Sequence, residues 1–130
     1  MNVIYIDTSV LVSLFLEDSA ENAHFSRLLK EADEVVSSVL IEAEFLSVLH
    51  REKVGIATGI DYLKQISLVI PDRSIAKELG TVFSKAYVRG ADAFHLACAL
   101  YLDPKASEIK FLTADKQQQK AAQSLGFLIS

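Results

Sequence analysis

Short runs of strand-forming residues alternate along this chain with longer segments that have the periodicity of helices. The first run, Val-Ile-Tyr-Ile at residues 3–6, is apolar throughout, as is typical of a strand that is buried on both faces. Strands that alternate with helices predict a parallel sheet covered by helices on both sides. In such folds, ligands bind outside the carboxyl ends of the strands. We therefore expect an α/β domain with a short central parallel sheet.

Capping residues, glycines and prolines predict where the elements begin and end. Thr8 or Ser9 is expected to cap the first helix, Asp18 and Glu21 to form a capping box for the second, and Ser38 to cap the third. The first predicted helix ends near residue 16, and the others cover residues 19–31, 39–53, 57–67, 73–87, 91–102 and 116–125, the last followed by Gly126 at its C′ position. Predicted strands cover residues 3–6, 34–37, 110–113 and 127–129, and residues 68–70 are either a short strand or an apolar helix end. Helix 39–53 is apolar nearly all round, so we expect most of it to be buried.

Length and composition favour one core-forming domain. The chain has 130 residues, which suits a single domain over residues 1–130, and 51% of them are hydrophobic, which excludes a disordered tail. The first 16 residues lack the basic region of a signal peptide, and Asp7 interrupts their apolar stretch, so we expect neither a leader nor a membrane-spanning helix. Cys98 is the only cysteine, which favours the reducing cytoplasm over a secreted, disulfide-linked scaffold.

Acidic residues are concentrated in the first half of the chain. Residues 1–65 carry 5 basic and 11 acidic side chains, residues 66–130 carry 8 and 6, and the net charge is −4. This balance argues against a protein that holds nucleic acid non-specifically through many phosphate contacts. It leaves open an enzyme whose acidic groups hold metal ions.

Four acidic residues stand next to apolar segments, where an ionised carboxylate must be paired or must coordinate a cation. They are Asp7, Glu44, Asp92 and Asp115. Asp7 and Asp115 each follow an apolar strand, so both are expected at the carboxyl edge of the sheet, although either residue alone is equally typical of a turn or a helix cap. The chain has no glycine-rich nucleotide-binding loop, no nucleophile elbow, no CxxC and no HExxH.

The other two acids lie on predicted helices. Glu44 falls in an apolar arc of helix 39–53, whereas Glu42 points about 200° away from it, and periodicity alone does not choose between them. Asp92 starts helix 91–102, where the helix dipole also favours an acid. His95, one turn further on, either orients Asp92 or is a packing residue.

Four segments carry these acids in a distinctive order. They are Tyr5-Ile6-Asp7-Thr8-Ser9, then Ser38 followed six residues later by Glu44, then Gly90-Ala91-Asp92-Ala93-Phe94-His95-Leu96-Ala97, and finally Phe111-Leu112-Thr113-Ala114-Asp115. In order and spacing they resemble the PIN domain family, and within it the VapC-like toxin nucleases of bacterial and archaeal toxin–antitoxin pairs. The resemblance spans nearly the whole chain and implies a PIN-like three-layer α/β/α domain.

The resemblance implies a metal-dependent ribonuclease. Asp7, Glu44, Asp92 and Asp115 would surround one or two Mg²⁺ or Mn²⁺ ions, with Glu44 chosen over Glu42. Hard divalent cations take oxygen ligands, so the residue types suit this chemistry. Further residues are expected to support the site: Thr8, Ser9 and Thr113 as hydrogen-bond partners of waters or phosphate, and Lys85, Arg89, Lys110, Lys116 and Lys120 as a basic rim for RNA.

The resemblance also implies partners, namely an RNA substrate, a second copy of this chain in a homodimer, and a small antitoxin protein that covers an apolar groove and places a basic side chain in the acidic site. One alternative is a catalytically inactive PIN-like binding or scaffold module with a structural metal cluster. Another is a phosphotransfer domain or phosphatase with Asp7 as the nucleophile. The chain has Ser9 where a haloacid dehalogenase-like pattern requires a second Asp, which disfavours that reading.

Overall fold

The computed structural model describes residues 1–129, and a sheet of four parallel strands lies at the centre of them. The strands are β1 (Val3–Ile6), β2 (Glu34–Ser38), β3 (Ser67–Val69) and β4 (Lys110–Leu112). Their spatial order is β3-β2-β1-β4, so the order reverses at β1, with β2 on one side of it and β4 on the other. Tyr5 of β1 lies beside Val36 of β2 and Phe111 of β4. Ser130, the last residue of the predicted domain, lies outside the described residues.

Seven helices among residues 1–129 cover the two faces of this sheet. They are α1 (Thr8–Leu16), α2 (Asn22–Glu31), α3 (Leu40–Arg51), α4 (Ile56–Leu63), α5 (Ala76–Lys85), α6 (Gly90–Leu102) and α7 (Lys116–Ser124). Successive side chains of a strand point to opposite faces, so Ile4 and Ile6 pack with helices α1 to α4, whereas Tyr5 packs with α5 to α7. The resulting three layers confirm the predicted α/β/α fold class.

The first two helices begin differently from the prediction. Asp7, rather than Thr8 or Ser9, caps α1, and its side chain accepts a hydrogen bond from the Ser9 backbone N–H at 3.2 Å. The predicted capping box does not form, and α2 begins only at Asn22. The Asn22 side chain donates instead to two carbonyls near the end of α1, so a contact between helices sets this boundary.

The third helix is less buried than predicted. Ser38 belongs to β2 and does not cap α3, which begins at Leu40. One side of α3 is fully buried, through Ile41, Phe45 and Leu49, while the opposite side faces water. Apolar residues are common on protein surfaces, so apolar composition alone overestimated its burial.

Helix α4 packs closely on α3 because a glycine faces it. A Cβ atom on Gly59 would clash with Cδ1 of Leu49. Helix α4 ends at Leu63, earlier than predicted, because residues 67–69 pair with β2 as strand β3. The prediction for α5, residues 73–87, is too long at both ends, since the backbone is already extended at Ala86.

The end of the chain departs from the prediction in one element. Residues 127–129 do not form a strand, because only Leu128 bridges to Lys110, in parallel orientation. Gly126 follows α7 with a φ of 101°, which confirms its predicted C′ role. Among residues 1–129, no helix has the length and apolar character that crossing a membrane requires.

Candidate functional site

The candidate site lies at the carboxyl edge of the sheet, next to the strand where the strand order reverses. Asp7 directly follows β1, and Thr113 directly follows the neighbouring strand β4. In open parallel sheets, a crevice forms at this position because the connections on the two sides of the central strand lead to opposite faces. Asp7 therefore lies where the sequence predicted it, at the carboxyl edge of the sheet.

The carboxylate of Asp7 is enclosed by hydroxyl groups. The Ser9 hydroxyl donates to Oδ1 at 2.5 Å, and the Thr113 hydroxyl donates to Oδ2 at 2.6 Å. These hydroxyls accept in turn from backbone N–H groups, Ser9 from Ala114 at 2.9 Å and Thr113 from Asp115 at 3.1 Å. Two of the three predicted supporting residues thus contact Asp7 directly and link it to the loop after β4.

The environment of Asp7 disfavours its negative charge. Burial raises the pKa of this carboxyl to about 6, although the hydrogen bonds from Ser9 and Thr113 act in the opposite direction. The charge of Asp92 adds to the increase in pKa. A buried acid with such a shift is typical of functional sites, because folding alone gains nothing from it.

Glu44 projects from α3 towards α1 and α6. Its Oε1 atom accepts a hydrogen bond from the Thr8 hydroxyl at 2.6 Å and lies 2.8 Å from Nε2 of His95. The hydrogen bond with His95 lowers the pKa of Glu44, and the bond from Thr8 acts in the same direction. Glu42, by contrast, is exposed on the far side of α3. Thr8, the third predicted supporting residue, therefore holds Glu44 and not Asp7.

His95 is fully buried and positions Glu44. A carboxylate only accepts, so Nε2 of His95 carries the proton that is shared with Glu44. On the other side of the ring, Nδ1 lies 3.2 Å from both the Tyr5 hydroxyl and the Ser38 hydroxyl. The partner that helical spacing suggested, Asp92, is not the one observed. Tyr5 and Ser38 belong to the segments that carry the family resemblance, but neither residue was predicted to support the site.

Asp92 and Asp115 line a cavity of about 600 Å³. Tyr87, Val88, Arg89 and Gln117 form the rest of its lining. Asp92 lies in the first turn of α6, where burial raises its pKa and the charges of Asp115 and Glu44 raise it further. Asp115 caps α7, accepting from the backbone N–H groups of residues 117 and 118 at 2.8 and 3.2 Å. The helix-cap interpretation of Asp115 is therefore correct, and the residue also faces the cavity.

The N-termini of α6 and α7 are tied together behind this cavity. The side chain of Gln118 is buried, and its Nε2 donates to the backbone carbonyl of Asp92 at 2.9 Å. Its Oε1 atom has no hydrogen-bond partner in the described part of the chain. This link fixes the spacing between the helix starts that carry Asp92 and Asp115.

The four predicted acids thus lie at one end of the molecule. The charge of Asp92 raises the pKa of Asp7, and the charges of Asp115 and Glu44 raise the pKa of Asp92. Within residues 1–129, however, no three His, Cys, Asp or Glu side chains are close enough to form a ready-made metal site. The donor types nevertheless fit a hard divalent cation, since Mg²⁺ is often bound by one or two carboxylates while waters and substrate phosphate complete its shell. The raised pKa of Asp7 and Asp92 also indicates a place where positive charge is favourable.

The predicted basic rim is only partly assembled. Arg89 lines the acidic cavity, and Lys85 and Lys120 line a groove beside it. Lys110 is the first residue of β4 and lies at the amino edge of the sheet, away from the acids, so its assignment to the rim is wrong.

Comparison with models of known protein families shows which family the chain belongs to. The family model for the PIN domain matches residues 4–124, which include all four acids. The chain belongs to the PIN domain family. Comparison of this PIN domain with curated proteins gives no significant match. The PIN domain is a nuclease fold, so the chain has the architecture of an enzyme that hydrolyses nucleic acid.

Proposed function

We propose that this PIN domain is a metal-dependent endoribonuclease and the toxin of a type II toxin–antitoxin pair. In this proposal Asp7, Glu44, Asp92 and Asp115 hold Mg²⁺ or Mn²⁺ beside the scissile phosphodiester bond of RNA. The observation that carries the proposal is the buried Asp7 carboxylate, whose charge is disfavoured by burial and by Asp92. At neutral pH, a buried carboxylate of this kind is stabilised by binding a proton or a cation.

A bound divalent ion would lower the pKa of an attacking water and neutralise charge on the phosphate. The chain's own residues prepare the site for this chemistry. Ser9 and Thr113 fix both oxygens of Asp7, while Thr8 and His95 fix Glu44. These bonds hold the carboxylates in place before substrate arrives, so little reorganisation is needed during the reaction.

Arg89 is the positive group of the acidic cavity. An RNA strand that enters this cavity brings phosphates next to carboxylates, and a guanidinium at the rim offsets the repulsion. We assign Arg89 to orienting the substrate backbone, because phosphate contacts position a nucleic acid without reading its sequence.

RNA cleavage tests the proposal directly. Protein treated with EDTA is expected to leave a labelled RNA intact, and added Mg²⁺ or Mn²⁺ is expected to start hydrolysis. Asp7→Asn, Glu44→Gln and Asp92→Asn should each lower the rate by about 100-fold or more, because each removes charge that the reaction uses. Glu42→Gln is the matched control on the exposed side of α3 and should keep the wild-type rate.

Two results would contradict this function. Hydrolysis that persists in EDTA would exclude the metal mechanism. RNA binding without cleavage at any metal concentration would favour the inactive binding module. Circular dichroism of each variant separates loss of chemistry from loss of folding.

A further inference from the structure

An exposed aromatic ring stands between the acidic cavity and a second concave surface. Tyr87 is 92% exposed and lines both of them. The second surface, which we call the lysine groove, has a volume of about 310 Å³. It is lined by Lys85, Ala86, Tyr87, Gln117, Lys120, Ala121 and Ser124. Single exposed apolar residues are common, so the position of Tyr87 is more informative than its exposure.

The backbone explains why this ring points outwards. The chain leaves α5 in an extended conformation at Ala86, and successive side chains of extended backbone alternate in direction. Ala86 and Val88 pack against the core, so Tyr87 between them faces water. The carbonyl of Tyr87 also accepts a hydrogen bond from Nε2 of Gln117 at 2.8 Å. The segment that carries the ring is thereby tied to α7.

The same glutamine connects the ring to the acidic cavity. The backbone N–H of Gln117 donates to the Asp115 carboxylate at 2.8 Å, while its side chain holds the carbonyl of Tyr87. Because Gln117 and Tyr87 line both surfaces, the cavity and the lysine groove are continuous across these two residues. A ligand strand leaving the acids in this direction passes over the ring of Tyr87.

Charge favours a polyanion along this path. Arg89 lines the cavity, and Lys85 and Lys120 line the groove beyond the ring, in a chain whose net charge is −4. A cation, an aromatic face and then two further cations match the alternating phosphates and bases of an unpaired nucleic acid strand. A duplex is a poorer match, because its bases already stack on one another and its strands present mainly phosphate and sugar.

We propose that Tyr87 is a stacking platform for a base of single-stranded RNA, and that Lys85 and Lys120 hold the phosphates that follow it. This inference rests on the proposed nuclease function and extends it to the conformation of the substrate and its path across the surface. Tyr87 acts by binding the strand next to the acids and takes no part in bond cleavage.

Binding in EDTA tests this inference without any cleavage. Fluorescence anisotropy with an unstructured RNA oligonucleotide should give a Kd about 5- to 150-fold weaker for Tyr87→Ala than for wild type, as expected for the loss of one stacked base. Tyr87→Phe should keep the affinity, since stacking uses the ring. Phe83→Ala is the matched control, because Phe83 is 52% exposed on the neighbouring α5 but lies outside the lining of both surfaces. A duplex of the same sequence should bind wild type and Tyr87→Ala equally.

A tryptophan at position 87 would report stacking directly. The chain contains no Trp, so Tyr87→Trp introduces a single indole whose fluorescence should be quenched when RNA is added, with affinity retained. The double substitution Lys85→Gln with Lys120→Gln should reduce the slope of log K against log salt by about 1.4, the amount expected for two phosphate contacts on a single strand.

These measurements separate the platform from the nuclease function. If wild type cleaves RNA but Tyr87→Ala binds as tightly as Phe83→Ala, the platform is overturned and the nuclease stands. If binding depends on Tyr87 but no metal starts cleavage, the platform stands and the nuclease fails. If Tyr87→Ala and Phe83→Ala both turn a dimer into a monomer and weaken RNA binding equally, the surface is a protein interface and the platform is overturned.

Discussion

The carboxylate of Asp7 is buried at the carboxyl end of strand β1. It is only 3% exposed, and its two oxygens accept from hydroxyls that are themselves directed by backbone N–H groups. Those hydroxyls therefore present protons to Asp7. Burial still outweighs these hydrogen bonds, so the ionised form remains costly without a cation.

Removing this charge should stabilise the metal-free protein above neutral pH. Because the folded-state pKa of Asp7 is raised from 3.8 to about 6, its contribution favours folding at low pH and is lost as the pH rises through 6. Asp7→Asn should therefore be more stable than wild type by on the order of 3 kcal/mol at pH 8 in EDTA. The difference should disappear at about pH 3, below the ordinary pKa of 3.8, where the Asp7 side chain is uncharged in both the folded and the unfolded state. Urea unfolding at both values of pH measures this.

The exposed Asp18→Asn variant is the matched control for the loss of a carboxylate and should have the stability of wild type in EDTA at pH 8. Saturating Mg²⁺ should largely cancel the difference at pH 8, because wild type gains about 2.7 kcal/mol at a hundredfold excess over Kd while the variant loses a ligand. Equal stability of wild type and Asp7→Asn across the pH range would show that the Asp7 charge is solvated.

For single residues, the sequence predicts the environment correctly where that environment follows from the position of the residue at the end of a strand. Asp7 and Thr113 each follow a parallel strand, so their place at the same edge of the sheet could be predicted, whereas the pairing of β1 with β4 that brings them into contact could not. The partner of His95 could not, because periodicity identifies neighbours only on the same helix. His95 contacts Glu44, which is 51 residues away on another helix.

The connection between α6 and β4 is organised by one carboxylate. Asp103 follows α6, and its Oδ2 accepts from the backbone N–H groups of Glu108 and Ile109 at 2.9 and 3.0 Å. Burial alone would raise the pKa of Asp103, but these N–H groups and that of Ser107 outweigh it and hold the pKa below its ordinary value. The connection sets the position of β4 and hence of Thr113.

Asp103→Ala should lower the free energy of unfolding by about 1 to 3 kcal/mol, because two N–H groups lose their acceptor. Asp103→Asn should lose less, since an amide oxygen still accepts. The lowered folded-state pKa means that the wild-type contribution is present above the ordinary pKa of Asp and is lost as the pH falls through the folded-state value. Urea midpoints at pH 7 and pH 3 check this. A full penalty for Asp103→Ala at pH 3 would rule out the charge as its source.

The elements themselves were largely predictable, whereas their ends were not. Apolar runs and helical periodicity depend on nearby residues, so they located three of the four observed strands and left the fourth, at residues 68–70, open between a strand and a helix end. Helix α2 begins where Asn22 bonds to α1, and such a contact between elements leaves no local pattern. The predicted strand 127–129 failed because Leu128 bridges β4 at a single residue.

On the scale of the whole molecule, the alternation of strands and helices was sufficient to predict the layers. It does not predict which surfaces are covered in an assembly. Ile56 and Ile60 lie one turn apart on α4 and are 37% and 44% exposed. Because the proposed toxin function implies a homodimer, we assign this side of α4 to its interface.

If the proposed homodimer forms through this side of α4, Ile60→Lys should make the chain monomeric, because a charge would then be buried without a partner. Light scattering after size-exclusion chromatography, over a wide concentration range, measures the mass. Ile70, which is exposed directly after β3 and lies outside α4, provides the control Ile70→Lys, which should keep the mass of wild type. A wild-type chain that is monomeric throughout, with no small partner co-purifying from its native cell, would remove the dimer and the toxin assignment.

The central position of β1 also determines how the site responds to partial unfolding. β1 is hydrogen-bonded on both sides, whereas β4 has three residues and only the Leu128 bridge beyond it. Local opening therefore costs less at β4 than at β1. If β4 alone separates from β1, the Thr113 hydroxyl moves away from Asp7 while β1, β2 and β3 stay paired. Partial unfolding of this kind would change the hydrogen bonding of Asp7 before it separates β1 from β2.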